Sequence, residues 1–283
     1  MGEFWQALGQ FSFLRHALLA GLVASVACGV VGSLVVTRRI TTATGGLAHA
    51  VLGGMGLAYW LQTAKGFSSV HPLHGGLVFA LIGAVILARV QAQGRERADT
   101  AISAMWAVGM AIGVLFLFKS PGYKIDLMSY LFGNIMLVDP TALKFLLLLD
   151  SIVLVVVWLF YNQLVAVSFD AEFARLRGLN VEGWSTLLMV LVALTVVSLV
   201  YVVGIVMVIA LLSLPAAAAG RFTARLGVMM AVATLIAASS TTTGLALSFH
   251  FDLPTGAVTI LVAAVFYLAA LLMRRRAHVT KGE

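Results

Sequence analysis

A single cysteine and a charged fraction of only 10% remove several classes of protein at once. One thiol makes neither a disulfide framework nor a cysteine-based metal cluster. Cys28 lies in an apolar run, where it reads as a small packing residue. A soluble domain carries roughly 25% charged residues, so this chain lacks the surface of one. The sequence also holds no Gly-Lys dipeptide and therefore no phosphate-binding P-loop. It has no His-Glu-x-x-His pair and no Gly-x-Ser-x-Gly elbow. The chain is expected not to be an enzyme, and any work driven by ATP hydrolysis must draw on a partner chain. The net charge of +7 is not a nucleic-acid footprint, because the arginines are spread over separate loops.

What is present is hydrocarbon. Residues of the apolar classes make up 61% of the chain, and no signal peptide followed by a polar domain is visible. The expected fold is an all-α polytopic membrane protein, with 1–283 as a single transmembrane domain. About 20 apolar residues are needed per crossing. On that basis we mark nine spans, with eight to ten as the range, near 13–36, 43–62, 74–90, 99–118, 140–160, 184–203, 204–219, 226–247 and 255–273. The sixth and seventh come from one uncharged stretch of 36 residues, Trp184 to Ala219, punctuated by Gly204 and Pro215. It is too long for one helix and short for two. A full span followed by a shorter, partly broken one fits it best, and irregular backbone at membrane depth is tolerated where it lines a cavity.

Lys and Arg set the orientation. With the 38–42 turn inside, Arg38, Arg39, Arg89, Arg95, Arg97, Arg175, Arg177, Arg221, Arg225, Arg274, Arg275, Arg276 and Lys281 fall inside. Arg15, Lys65, Lys119, Lys124 and Lys144 fall outside. The bias puts the N-terminus outside and the C-terminus inside. The largest inside loop, about 161–183, contains a short amphipathic helix. Ser168 or Asp170 caps it, Glu172 lies in its first turn, arginines lie in its last, and Gly178 stops it. Phe169, Phe173 and Leu176 form its apolar side. Such a helix either lies in the lipid headgroups or docks a cytoplasmic partner.

The most informative single residue is His49, an ionisable ring inside a span. Gly45, His49 and Gly53 share one helix face, which leaves space beside the imidazole. The ring either hydrogen-bonds a carbonyl of a neighbouring helix or acts as a metal ligand, since imidazole suits zinc and several other transition metals. Gly46, Ala50 and Gly54, spaced by four, allow close helix packing, between two copies of the chain or within one. Asp126 and Asp252 stand near the outer ends of spans and are alternative metal ligands or solvated caps. Asp150 falls within a span, where a polar group of another helix is its expected partner. His71 and His74 share an outer loop. The run Ser239 to Thr243 reads as interhelical packing and hydrogen bonding, and the 11 methionines mostly as packing in the bilayer.

Several stretches together resemble the membrane subunit of ABC importers for divalent metals, the zinc/manganese/iron-type permeases. They are Arg38-Arg39 followed by Leu47 to Gly54; Tyr130 to Ile135; Phe169 to Arg175 with Gly178; Gly204 to Met207 and on to Leu214-Pro215-Ala216; and Asp252 to Ala257. They run in family order over nearly the whole chain. The resemblance implies a type II ABC importer-like bundle in a bacterial plasma or inner membrane. It implies two copies of the permease, two cytoplasmic ATP-binding cassette subunits carrying the ATP, and an extracytoplasmic metal-binding protein that delivers the ion. It implies that Phe169, Asp170, Glu172, Phe173, Ala174, Arg175 and Gly178 form the coupling helix to the ATPase, and that His49 lies on the metal path. No cofactor is implied as a permanent resident; the divalent metal, zinc or manganese before iron, is cargo. In one respect the chain departs from the pattern: many members carry Asp one turn before the histidine and Ser immediately before it, and here Gly45 and Ala48 stand there. A second functional class stays open on the residues alone, an ion-coupled secondary transporter or channel for metal ions.

Overall fold

Hydrocarbon offers no partner for backbone N–H and C=O groups, so a spanning segment must satisfy them within itself. The computed structural model describes residues 2–67, 70–92, 95–121 and 140–279, and among them every regular element is an α-helix. In chain order they are α1 (Gly2–Gln10), α2 (Ser12–Arg38), α3 (Thr41–Lys65), α4 (Pro72–Ala92), α5 (Arg95–Lys119), α6 (Pro140–Leu159), α7 (Tyr161–Phe169), α8 (Ala171–Leu176), α9 (Val181–Val203), α10 (Ile205–Ala219), α11 (Leu226–Phe251) and α12 (Thr255–Val279). Each of the nine expected spans finds a helix. Among the described residues seven helices are long and apolar enough to cross a membrane, and Ile205–Ala219 is a shorter apolar one. The remaining span, α3, has 25 residues and is diluted by glycine, threonine and His49. At 1.5 Å per residue it is about 37 Å long, enough for a hydrocarbon core of about 30 Å. Asp126, Lys124 and the Tyr130 to Ile135 stretch lie outside the described residues.

The uncharged stretch from Trp184 to Ala219 is divided at Gly204, which caps both α9 and α10 at φ 83° and ψ 162°. A side chain there would be strained, so glycine sets the position of the break. Pro215 sits inside α10 rather than ending it. The α2–α3 corner turns on Arg39, held at φ 61° with its N–H donated to the Val35 and Val36 carbonyls.

Packing places α2 and α3 at the centre. The most extensive contacts join α3 with α5, α2 with α11 and α3 with α4. The α3–α5 pair is parallel and built on glycine. A Cβ on Gly46 would stand 3.3 Å from the Ile102 carbonyl, on Gly53 3.0 Å from the Gly109 carbonyl, and on Gly56 2.7 Å from the Gly113 carbonyl. Backbone therefore lies on backbone along three turns, which larger residues would prevent. Gly54 meets α4 in the same manner, against Gly75. The face Gly46, Ala50, Gly54 is thus used within the chain rather than between copies.

Several hydroxyl side chains in the bundle are satisfied within their own helix. Ser25, Ser33, Thr195 and Ser240 each donate to the carbonyl four residues back. Thr241 of the Ser239 to Thr243 run faces Ser25 of α2 at 3.2 Å, an interhelical hydroxyl pair of the expected kind. Asp150, buried on α6, accepts from Ser198 Oγ of α9 at 2.8 Å through Oδ1. Its Oδ2 has no partner among the described residues. Cys28 is buried and free. The short helix α1 was not expected; it anchors through Phe4, whose ring meets Phe249 of α11 at 6.0 Å.

Candidate functional site

The histidine lies near the middle of α3 and is 4% exposed. Its Nδ1 is 2.9 Å from the Gly45 carbonyl, one turn earlier on the same helix. The partner is therefore α3 itself, not the neighbouring helix anticipated from sequence. A carbonyl only accepts, so Nδ1 carries the proton and donates it. That leaves Nε2 with a free lone pair, the atom through which a neutral imidazole binds a metal. No described residue hydrogen-bonds Nε2.

The notch beside the imidazole is filled. Trp106 of α5 packs its indole against His49, ring centroids 4.9 Å apart and planes tilted by 41°. A Cβ on Gly45 would lie 3.3 to 3.6 Å from three atoms of that indole ring. Gly45 thus makes room for Trp106, and Gly46, Gly53 and Gly54 make room for α5 and α4. Sequence reasoning missed Trp106, because nothing in an apolar run marks which indole meets His49 some 57 residues away. Between the α2–α3 corner and the first turns of α4's end and α5's start there is a cavity of about 420 Å³. Arg38, Arg39, Thr42, Gln91, Asp99 and Ile102 line it.

Among the described residues no group of three or more His, Cys, Asp or Glu is placed to hold a metal. Asp252 is the exposed C-cap of α11 at φ 54°. Asp126 lies outside the described residues. His71 and His74 are exposed at the start of α4, ring centroids 6.2 Å apart.

The loop 161–183 holds the second candidate site. Helix α7 ends at Phe169, and Asp170, extended at φ −147° and ψ 97°, caps α8 by accepting from the Phe173 N–H at 2.9 Å. Of the two expected caps Asp170 takes the position; Ser168 is buried at the end of α7. Glu172 in the first turn and Arg175 in the last match the helix dipole. At the far end the Gly178 N–H donates to the Arg175 carbonyl and the Leu179 N–H to the Ala174 carbonyl, with Gly178 at φ 80°. This is a Schellman stop, which favours glycine at that position. Ala174 anchors the helix in a small core with Val167 and Val181. The opposite side is open: Phe169 is 61% exposed, Phe173 51% and Leu176 87%. Arg38, at the end of α2, joins this loop to the bundle, donating to Ser185 Oγ at 2.6 Å and to the Val167 carbonyl at 3.5 Å.

Comparison with known proteins bears on the family and the fold. The model of the ABC 3 transport family matches residues 10–274. A probable metal transport system membrane protein of Chlamydia trachomatis is 35% identical over 262 residues, 93% of this chain and 89% of the relative. The manganese transport system membrane protein MntC of Listeria monocytogenes is 32% identical over 269 residues, 95% of this chain and 93% of the relative. A chain of PsaBC from Streptococcus pneumoniae, solved in complex with Fab, superposes with a TM-score of 0.84 at 29% identity and covers 95% of this chain and 94% of its own.

Proposed function

The chain belongs to the ABC 3 transport family, and from that premise we propose that it is the membrane permease subunit of an ABC importer for a divalent metal. Relatives of matching length are named for metal and manganese transport, so manganese is the first cargo to test, with zinc and iron next. The chain holds no nucleotide-binding motif. ATP hydrolysis belongs to two copies of a cytoplasmic ATPase, which dock on α8. The observation that carries this reading is a six-residue helix fixed at both ends while Phe169, Phe173 and Leu176 are left open. Large apolar side chains held on a rigid element at the water side are the anatomy of a docking contact.

The permease works as a pair, and an extracytoplasmic metal-binding protein hands it the ion. ATP binding closes the ATPases, α8 moves with them, and Arg38 passes that movement to the α2–α3 corner. The bundle then alternates between two access states, each favoured by different contacts. The ion passes His49, whose free Nε2 offers one ligand. A tight site needs three or four in fixed geometry, so an ion is held weakly and can leave.

Co-expression with the ATPase of the same transporter tests the whole reading. A complex of two permease chains and two ATPase chains should form, and ATP-dependent manganese uptake should appear in proteoliposomes only when both are present. Uptake by the purified permease alone would instead establish a secondary transporter. The orientation has its own test. Single cysteines placed in a Cys28→Ala background should label from outside at residue 65 and only after permeabilisation at residue 95. External labelling of residue 95 in sealed cells would overturn the span map.

A further inference from the structure

We propose that Asp150 is a proton-binding site inside the bundle: its carboxyl holds a proton, donates it to Ser198, and so pins α6 to α9 at membrane depth. Burial comes first. Asp150 lies midway along α6 and is 2% exposed. The helices packed most extensively on α6 are α9 and α2. From α9 the carboxyl meets Ser198, and from α2 the free thiol of Cys28 stands near enough to feel a charge there. No described Lys, Arg or His forms an ion pair with it. A carboxylate in that place would be a bare charge in hydrocarbon, and a group so placed neutralises instead.

The proton count agrees. Ser198 Oγ stands 2.8 Å from Asp150 Oδ1 and 2.9 Å from the Thr195 carbonyl. Beside an ionised carboxylate both neighbours are acceptors, and Ser198 has one proton for the two. It then serves one and leaves the other short. A proton on Oδ1 completes the row. The 2.8 Å contact runs from the acid to Ser198 Oγ, and Ser198 donates on to the Thr195 carbonyl. Oδ2, which has no partner among the described residues, becomes the carbonyl oxygen of a neutral acid. An unpaired neutral acceptor costs less than an unpaired charged one.

The place of the pair gives it a role. The chain runs from α6 into α7 and α8, and α9 carries it back across the bundle. These two helices are therefore the stalks of the docking loop, and Asp150 joins them about 14 Å from the loop end of α6. This role rests on the reading of α8 as a docking helix. With the proton in place, α6 and α9 move as one body when the ATPase draws on α8. Without it, an uncompensated charge stands between them.

The purified permease suffices for the first test. Infrared spectra at neutral pH compare wild type with Asp150→Asn, whose amide reaches Ser198 from the same place. Solvent-exposed carboxyls are ionised under those conditions and give no carboxylic C=O stretch. The difference spectrum should show one such band, present in wild type and lost in the variant. Ser198→Ala should keep the band and shift it, which covers the case in which Asp150→Asn fails to assemble. A difference spectrum that loses carboxylate stretches instead, or a band that Ser198→Ala does not move, overturns the site. The second test adds the ATPase, in proteoliposomes. Ser198→Ala should raise the ATP hydrolysed per manganese moved about fivefold, the factor that one net hydrogen bond is worth. An unchanged ratio overturns the pin. A wild-type complex that moves no manganese, zinc or iron with ATP overturns the permease reading itself, and the infrared result, which needs no ATPase, keeps the two failures distinct.

Discussion

Phe173→Asp gives a permease that folds and inserts normally yet fails to couple to its ATPase. The substitution is mild for the helix. Phe173 is the third residue after the Asp170 cap, inside the first turn, where a carboxylate is favoured by the helix dipole. It also faces Arg177 one turn on, whose guanidinium lies 4.9 Å from the present ring, so a new charge finds a partner at i+4. The helix stays anchored by Ala174 and by its Asp170 and Gly178 ends, none of which is altered. What changes is the exposed apolar face. Removing an aromatic anchor from a docking contact and burying a carboxylate in its place should cost at least about 2 kcal/mol, roughly thirtyfold in affinity. The measurement is association of detergent-purified permease with ATPase, together with the ratio of ATP hydrolysed to manganese moved. Phe173→Leu keeps the apolar contact and should fall between wild type and Asp. Normal association and normal transport by Phe173→Asp would show that α8 merely rests in the headgroups.

How far the sequence announced this structure depends on the range of the interactions concerned. Span positions follow from hydrocarbon thickness and a one-dimensional apolar pattern, so each marked span is matched by a helix, even the 36-residue stretch, where Gly204 alone set the division. The loop helix was equally readable, since Asp170, Glu172, Arg175 and Gly178 act on backbone within four residues of themselves. Contacts across the bundle were not. The glycines at 53, 54 and 56 announced close packing but not with what. Both four-residue partners of the sequence reading, a second copy or the same chain, present the same pattern, and only tertiary structure supplies Gly109, Gly113 and Gly75 as the surfaces met. Trp106 on His49 is the extreme case: a contact between two helices with a third running between them in sequence. Asp150 was legible in kind, as a buried carboxyl awaiting a polar neighbour, while Ser198 as that neighbour was not.

His49→Gln should assemble with wild-type mass and stability and lose uptake by roughly tenfold or more, since even an outer-shell partner of a metal ligand is worth about that much. Two roles of the imidazole are separable on geometry. One is structural: Nδ1 donates to the Gly45 carbonyl at 2.9 Å, and the ring faces Trp106. Glutamine carries its amide N–H one bond further out on a flexible chain and ends in a flat group to lie under the indole, so it keeps a hydrogen-bond donor and fills most of the imidazole's space. The other role is ligation by Nε2, which the Gly45 hydrogen bond keeps unprotonated and ready. A glutamine carbonyl is a much weaker donor for a transition metal than imidazole nitrogen. His49→Ala lacks both and leaves space beneath Trp106, so it conflates the two roles; the glutamine variant does not. Because one imidazole is a weak site by itself, resting complexes should hold no stoichiometric manganese either before or after the substitution, and the effect should be confined to flux. If His49→Gln transports at the wild-type rate, the ring is a packing element held by its own helix, and the ion's ligands are to be sought at Asp126, Asp252 or the methionines.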